Sequence, residues 1–310
     1  VKKDSPPNVR GPEEPDSVDF ERSEPVCQNP ACSLPPSPHR TSRRRVERPR
    51  LTRLEAAHRR LVRATLDDRR MDRALTWLQR EVGARWIVAG VHNQLRVEGL
   101  EHVTPYRNRS ILLVSNHRSF FDMFVINAVL YRRAGFDQRF LFPVRSTFFY
   151  DTSVGFVVNG LISFFSMYPP VFRDKRRLLN LESWRELSEV MAEGGRSAGI
   201  HPEGTRNRGD DPYRLLPVHS GIGRLVHTTA VPVIPAFING LGNDAVDQVW
   251  RNLRRRGPPV NLVFGPPLDL SQLLAQPSNG RTFRAIAARV AEGIAQLGEV
   301  ERSLSPPAAD

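Results

Sequence analysis

Between residues 95 and 297 the sequence alternates short apolar stretches with longer segments of helical spacing, and this alternation restricts the fold more than any other feature. The predicted strands are 95–97, 111–115, 140–144, 197–201, 233–239 and 260–264. The predicted helices are 119–133, 178–193, 222–229 and 282–297. Strands separated by helices are typical of α/β proteins. The sequence therefore predicts an α/β fold with a mixed sheet flanked by helices.

The chain divides into four regions by composition. Residues 1–49 are rich in Pro, Ser, Glu and Arg and contain few large apolar side chains, so we expect a disordered tail. Residues 50–94 have leucines at helical spacing among charged residues, which predicts amphipathic helices preceding the sheet. The α/β domain is predicted to occupy 95–300, and 301–310 is predicted to be a disordered C-terminus.

Positive charge is concentrated in one part of the chain. The net charge is +12, and residues 40–73 contain thirteen Arg against five acidic residues, a local charge of +8. Such a run predicts a polyanionic partner, either nucleic acid or an anionic membrane. Trp77 and Trp86 lie beside arginines, which favours a membrane interface. A basic nucleic-acid-binding protein stays as an alternative, although the run lacks interleaved aromatic residues and any recognised motif.

An uncharged stretch of 21 residues, 152–172, has the length of a transmembrane span. It also contains Asn159, two glycines and the pair Pro169-Pro170, so the interpretation we favour is a buried or interfacial element. The first residues lack the apolar core of a secretory signal. Cys27 and Cys32 have no further cysteines with which to form a thiolate metal site. We therefore expect a peripheral or monotopic protein on the cytoplasmic face of a membrane.

A first group of reactive side chains follows the strand predicted at 111–115. Ser119 and Asp122 have the spacing of a helix capping box, which places His117 on the turn before the helix. From there His117 can fold back onto Asp122, and the carboxylate would fix the imidazole tautomer that a general base requires. The alternative is that Asp122 only caps the helix and His117 is a polar loop residue.

A second group, residues 200–207, follows the strand predicted at 197–201. Gly204 permits close approach of the backbone, Thr205 offers a hydroxyl, and Arg206 offers a planar fork of donors suited to phosphate. The segment therefore predicts an anion site, and the alternative is a polar turn with an incidental arginine.

Other reaction classes have weaker support in the sequence. A serine hydrolase is disfavoured because no Gly-x-Ser-x-Gly segment occurs. A metal-dependent hydrolase would use His117, Asp122, His201 and Glu203 as ligands, but no His-Glu-x-x-His pairing supports it.

The two groups taken together, N-H-x-S-x-x-D and then P-E-G-T-R about eighty residues later, resemble the glycerolipid acyltransferases of the 1-acylglycerol-3-phosphate acyltransferase type. The segments 170–173 and 231–235 resemble two further motifs of that family, and the resemblance covers roughly residues 97–270. It implies acyl transfer from acyl-CoA or acyl-carrier-protein to a phosphate-bearing lipid acceptor at an anionic membrane surface, with no metal and no cofactor. The acceptor expected first is 1-acylglycerol-3-phosphate, giving phosphatidic acid. Glycerol-3-phosphate and other lysolipids are the alternatives.

The resemblance also implies roles for individual residues. His117 and Asp122 correspond to the catalytic pair. The residues implied in acceptor binding are Arg173, Glu203, Gly204, Thr205 and Arg206. The sequence departs from the family at His201 and His219, where the family often has Phe and Lys, and the second change removes a permanent charge.

Overall fold

The structure is a computed structural model that describes residues 50–172, 176 and 178–304 of the 310-residue chain, except for the side chain of Phe148. The predicted disordered tail 1–49 lies outside these residues, and so does 305–310 of the predicted disordered C-terminus 301–310.

A seven-stranded mixed sheet forms the centre of the described part of the chain. The strands are β1 (Leu95–Glu98), β2 (Leu112–Ser115), β3 (Arg139–Arg145), β4 (Met167–Val171), β5 (Arg196–Ile200), β6 (Val233–Asn239) and β7 (Val260–Phe264). Their order across the sheet is β1-β7-β6-β2-β5-β3-β4. The strands from β6 to β4 run parallel, whereas β7 is antiparallel to β6 and carries β1 parallel to itself. The predicted mixed sheet is confirmed.

Helices cover both faces of this sheet, as predicted. They are α1 (Arg53–Asp67), α2 (Arg69–Leu78), α3 (Ala84–Val91), α4 (Leu100–Val103), α5 (Asp122–Arg132), α6 (Ser146–Phe149), α7 (Ser153–Ser163), α8 (Leu179–Ala192), α9 (Gly221–Thr229), α10 (Ala245–Leu253), α11 (Ser271–Leu274) and α12 (Gly280–Leu304). A π-helical turn at Gln79–Gly83 joins α2 to α3, and a 3-10 turn at Thr104–Tyr106 follows α4. Side chains of α3 and α5 form the core on one face. Those of α1, α8, α9 and α12 form the core on the other.

The helical N-terminal region is anchored to the sheet by buried ion pairs. The side chain of Arg139, on β3, is fully buried, and its Nη1 lies 3.0 Å from Asp72 Oδ1. Arg196, on β5, places Nη2 at 3.2 Å from Asp72 Oδ2. One carboxylate therefore joins α2 to two neighbouring strands, and buried charges are stable only when paired in this way.

The uncharged stretch 152–172 folds as α7 followed by the buried strand β4. An 11-residue helix is about 16 Å long, roughly half the hydrocarbon thickness of a bilayer. Among the helices of residues 50–172 and 178–304, none is both long enough and apolar enough to cross a membrane.

The local sequence did not indicate strand β4, helix α10 or the end of α12. Helix α10 lies in a segment for which no helix was predicted. Helix α12 continues through Leu304, past the boundary expected at residue 300. Glu301 is buried there and accepts hydrogen bonds from the side-chain amides of Asn239 and Asn261, which tie the end of α12 to β6 and β7.

Candidate active site

The loop that carries His117 is held at the carboxyl end of β2, between β5 and β6. Asn116 donates its side-chain N–H to the carbonyl of Ile238 and accepts the N–H of the same residue, both at 2.9 Å. On β5, Gly199 leaves room for the side chain of Met123, because a Cβ at this position would collide with the Met123 sulfur. These contacts fix both the loop and the first turn of α5.

His117 and Asp122 meet as the spacing predicted. His117 Nδ1 lies 3.1 Å from Asp122 Oδ2, with the side chain of His117 20% exposed and that of Asp122 1% exposed. The same oxygen accepts the backbone N–H groups of Arg118 and Ser119, each at 2.7 Å. Asp122 therefore fixes both the backbone of the turn and the orientation of the imidazole.

The predicted capping box forms only in part. The carboxylate of Asp122 reaches back to the N–H of Ser119. The hydroxyl of Ser119, however, accepts the N–H of Phe121 at 3.2 Å and donates to the carbonyl of Gly242 at 2.5 Å. The prediction that Ser119 is the N-cap was wrong, because its hydroxyl is used to fasten the loop that follows β6, and α5 begins at Asp122.

Burial determines the charge state of the pair. It lowers the pKa of His117 to about 4, and the positive charge of Arg206 acts in the same direction. Burial also raises the pKa of Asp122 to about 6, against the opposing effects of its backbone hydrogen-bond donors and the positive charge of Arg118. At neutral pH the imidazole is thus neutral and the carboxylate is ionised. Since a carboxylate only accepts, Nδ1 carries the proton and Nε2 presents its lone pair.

His201 stacks on His117, with ring centroids 4.0 Å apart and an interplanar angle of 5°. Its Nδ1 lies 3.1 Å from the hydroxyl and 3.2 Å from the carbonyl oxygen of Ser115. Burial, followed by the proximity of His117, lowers the pKa of His201 to about 3, so this ring is neutral too. His201 therefore supplies a flat, uncharged wall against the imidazole of His117.

Three potential metal ligands lie close together here, since one ligand atom from each of His117, Asp122 and His201 falls within 4.8 Å of the others. Ring nitrogens bind metals through lone pairs in the plane of the ring. The planes of the His117 and His201 rings are nearly parallel and do not meet, so in this arrangement the two rings cannot both direct a lone pair at the same ion. The geometry favours an acid–base pair over the metal-dependent hydrolase.

Glu203 is buried, and both of its carboxylate oxygens accept backbone donors. Oε1 accepts the N–H of His117 at 2.8 Å, and Oε2 accepts the N–H of Leu216 at 2.7 Å. Burial raises the pKa of Glu203, while these two hydrogen bonds oppose the rise. Its contacts are those of a residue that positions the His117 loop, a different role from the acceptor binding implied by the family resemblance.

The rest of the predicted anion site is open to solvent. Gly204 has a φ of +65°, and a Cβ there would approach the ring of His219 to 3.0 Å, so glycine suits the position on both grounds. Thr205 is exposed beside it, and Arg206 is partly buried. Glu203 and Asn207 each form a hydrogen bond with the backbone of His117, so the predicted residues 203–206 lie beside it, and His219 lies against the same loop. Arg173 lies outside the described residues, whereas its neighbour Phe172 is buried at the end of β4.

One site residue, Asn243, was not identified from the sequence. Its Oδ1 accepts from Arg206 Nη1 at 2.7 Å and from the N–H of Phe120 at 3.2 Å. Asn243 belongs to the loop after β6 and matches no motif, so only its position in the folded structure identifies it as a site residue. Asn243 fixes the guanidinium of Arg206 relative to the turn that carries His117.

Comparison with known proteins adds two findings. Residues 94–239 match the model of the family described as Acyltransferase. The crystal structure of the 1-acyl-sn-glycerophosphate (LPA) acyltransferase, PlsC, from Thermotoga maritima matches with a TM-score of 0.50 and 21% identity, over 78% of this chain and 88% of that chain. At this level of identity the match shows similarity of fold alone. No curated protein matches the sequence.

Proposed function

We propose, from the premise that residues 94–239 belong to the acyltransferase family, that this protein transfers a fatty acyl group from a thioester to the hydroxyl of a glycerophosphate-type lipid. The donor is acyl-CoA or acyl-carrier-protein. The acceptor is 1-acylglycerol-3-phosphate, and the product is phosphatidic acid. The observation that carries the proposal is the pairing of His117 Nδ1 with the buried carboxylate of Asp122 at 3.1 Å.

The reaction needs a base for the acceptor hydroxyl. Nε2 of the neutral His117 takes the hydroxyl proton while the oxygen attacks the thioester carbonyl, so that a C–O bond forms and the C–S bond breaks. Asp122 stabilises the imidazolium that results, and the proton then passes to the departing thiolate. No acyl-enzyme is formed, because the acyl group passes directly from donor to acceptor.

Arg206 is the proposed phosphate ligand. It is held by Asn243 and its charge already acts on His117, so an anion bound to its guanidinium lies beside the base. A planar guanidinium suits the paired oxygens of a phosphate. Thr205 and Arg173 complete this acceptor site.

The protein binds the membrane peripherally. The arginine-rich helices α1 and α2 and the exposed apolar side chains of α7 support contact with an anionic leaflet. Substantial release from vesicles at high salt would support an electrostatic contribution, and protease cleavage from both sides of a sealed vesicle would contradict the peripheral arrangement.

An acceptor panel assayed with one acyl-CoA tests the function. Thiol release is expected with 1-acylglycerol-3-phosphate and to a lesser extent with glycerol-3-phosphate, and it should be lost in the His117→Ala variant. Equal turnover of a lysolipid without a phosphomonoester would contradict the acceptor assignment. Thiol release that does not depend on any acceptor would indicate a thioesterase instead.

A further inference from the structure

Helix α10 is amphipathic in the opposite sense from most helices on a protein surface. Its inward residues are amides: Gln248 is 8% exposed and Asn252 is 2% exposed. Its large apolar residues point outward, and the exposed fractions are Val246 66%, Val249 41%, Trp250 53% and Leu253 62%. These positions follow the i, i+3, i+4, i+7 spacing of one helix face, which in a soluble protein normally faces the core.

The inward amides are fully engaged, so α10 is fixed in this orientation. Asn252 accepts the N–H of Asn93 and donates to the carbonyl of Ala89, both at 2.8 Å. Gln248 donates to Gln94 Oε1 at 2.9 Å and accepts the N–H of Gly242 at 3.1 Å. Rotating the helix to bury its apolar stripe would break this network and leave buried amide groups unpaired, which is costly.

The apolar stripe continues onto two neighbouring helices. A groove of about 410 Å³ lies beside the contact between α10 and α3 and is lined by Leu253, Val88 and Ala89 and also by Arg85, Arg132 and His92. Ala84 and Ile87 of α3 also line a narrow crevice together with Ile162 of α7. Exposed apolar side chains occur on all three helices, including Trp86 at 79% and Leu161 at 72%. Exposed apolar patches rimmed by polar residues mark protein or membrane interaction sites.

Arginines surround this surface in excess of acidic residues. Residues 244–256 contain four Arg and two Asp. Near α3, Arg80, Arg85 and Arg132 all pair with the single carboxylate of Glu81, at 2.8, 2.7 and 3.3 Å. Apolar and tryptophan side chains rimmed by arginine match the acyl and headgroup layers of an anionic bilayer. A second copy of this surface would bring the same positive charges together, which disfavours self-association.

We propose that α10, together with α3 and α7, forms a docking surface for an anionic phospholipid bilayer, with Val246, Trp250 and Leu253 inserted at the interface. This inference deepens the proposed function and rests on it, because a lipid acceptor is delivered from a bilayer. The loop before α10 also connects the surface to the site, since Gly242 accepts from Ser119 and Asn243 accepts from Arg206.

The test measures co-sedimentation of the full chain with sucrose-loaded vesicles made of equal parts phosphatidylcholine and phosphatidylglycerol. The test variant Val246→Gln/Trp250→Gln replaces two outward apolar side chains with polar ones. Glutamine is compatible with a helix, so α10 should still form. The matched control is Val300→Gln/Leu304→Gln, which changes side chains of 45% and 44% exposure on α12, in the opposite helical layer. Thermal unfolding of both variants checks that they fold as the parent chain does.

The expected result is a fall of roughly tenfold or more in vesicle partitioning for the test variant and a change of less than about twofold for the control. Binding of the parent chain to phosphatidylcholine alone should be much weaker. Unchanged partitioning of the test variant, or an equal loss in the control, would overturn the proposal. So would a parent chain that is dimeric in solution and becomes monomeric in the test variant, because a second copy would then occupy the surface.

A separate measurement distinguishes this inference from the proposed reaction. Turnover of a short-chain, fully soluble 1-acylglycerol-3-phosphate should be the same in the parent and the test variant, because neither Val246 nor Trp250 contributes to the catalytic site. If the parent binds vesicles through α10 but turns over no acceptor, the docking surface stands and the proposed reaction fails.

Discussion

The carboxylate of Glu203 accepts the backbone N–H of His117 at 2.8 Å, although the two residues are 86 positions apart in the sequence. This contact joins the loop after β5 to the loop after β2. The loop after β5 donates a hydrogen bond in return, since the N–H of Asn207 donates to the carbonyl of His117 at 2.8 Å. The two sequence motifs therefore form one rigid unit around the imidazole.

A first prediction follows from this contact. In Glu203→Gln, one of the two acceptor oxygens is replaced by an NH2 group that faces a buried N–H donor. The free energy of unfolding should fall by roughly 1 to 3 kcal/mol, the cost of leaving a buried polar group unpaired. Denaturant unfolding and the turnover number measure the effect, and we expect the turnover number to fall with little change in either Michaelis constant. The matched control is Glu292→Gln, at an exposed carboxylate. A larger effect on the acceptor Michaelis constant than on turnover would assign Glu203 to acceptor binding.

The second prediction concerns His117. His117→Ala should reduce turnover by about 100- to 10,000-fold, the usual contribution of a positioned general base, while donor and acceptor still bind. His102→Ala, at a partly exposed histidine on α4, serves as the control. Rapid mixing with labelled acyl-CoA and no acceptor should give no protein-bound label, and a stoichiometric burst of label would contradict direct transfer.

A third prediction is a pH dependence that originates in Asp122. Burial raises the pKa of this carboxyl to about 6, so it is ionised above that pH and protonated below it. Because only the ionised form stabilises the imidazolium, kcat/KM should be constant near neutral pH and fall about tenfold per pH unit once the pH drops below about 6. A profile that stays flat down to pH 4 would remove Asp122 from this role.

The variant Asp122→Asn provides the matching experiment. The amide carries no charge and offers an NH2 that favours the wrong imidazole tautomer, so activity should fall severely. Its residual activity should lack the decline near pH 6 that the parent shows. Persistence of that decline in the variant would assign it to another group.

The fourth prediction concerns the acceptor phosphate. Arg206→Lys keeps the charge but loses the planar fork, so the acceptor Michaelis constant should rise roughly tenfold while that of the donor is nearly unchanged. Asn243→Ala should act in the same direction and more weakly, because Arg206 loses a hydrogen-bond partner. Arg208→Lys, at a neighbouring exposed arginine, is the control. Equal effects on both substrates would indicate that Arg206 is structural.

The sequence by itself determined the fold class and the position of most elements. Strands β6 and β7 have the predicted bounds, and β1, β2, β3 and β5 differ by one or two residues. The sequence also determined that His117 and Asp122 lie close together, because they are five positions apart and only a turn and the start of a helix separate them. These features depend on short-range periodicity and on backbone geometry within a few residues, which a single sequence contains.

Only the tertiary structure decided which partners the polar residues have. Ser119 fits a capping box, yet its hydroxyl bonds to Gly242, 123 positions away. Asn243 has no local signature and becomes a site residue because β6 ends beside β2. In α10 the amides of Gln248 and Asn252 find buried partners, so its apolar side chains face outward, the reverse of what helical periodicity suggests. The physical reason is that a buried amide must be hydrogen-bonded, and its partners come from residues distant in the chain that only the folded sheet brings close.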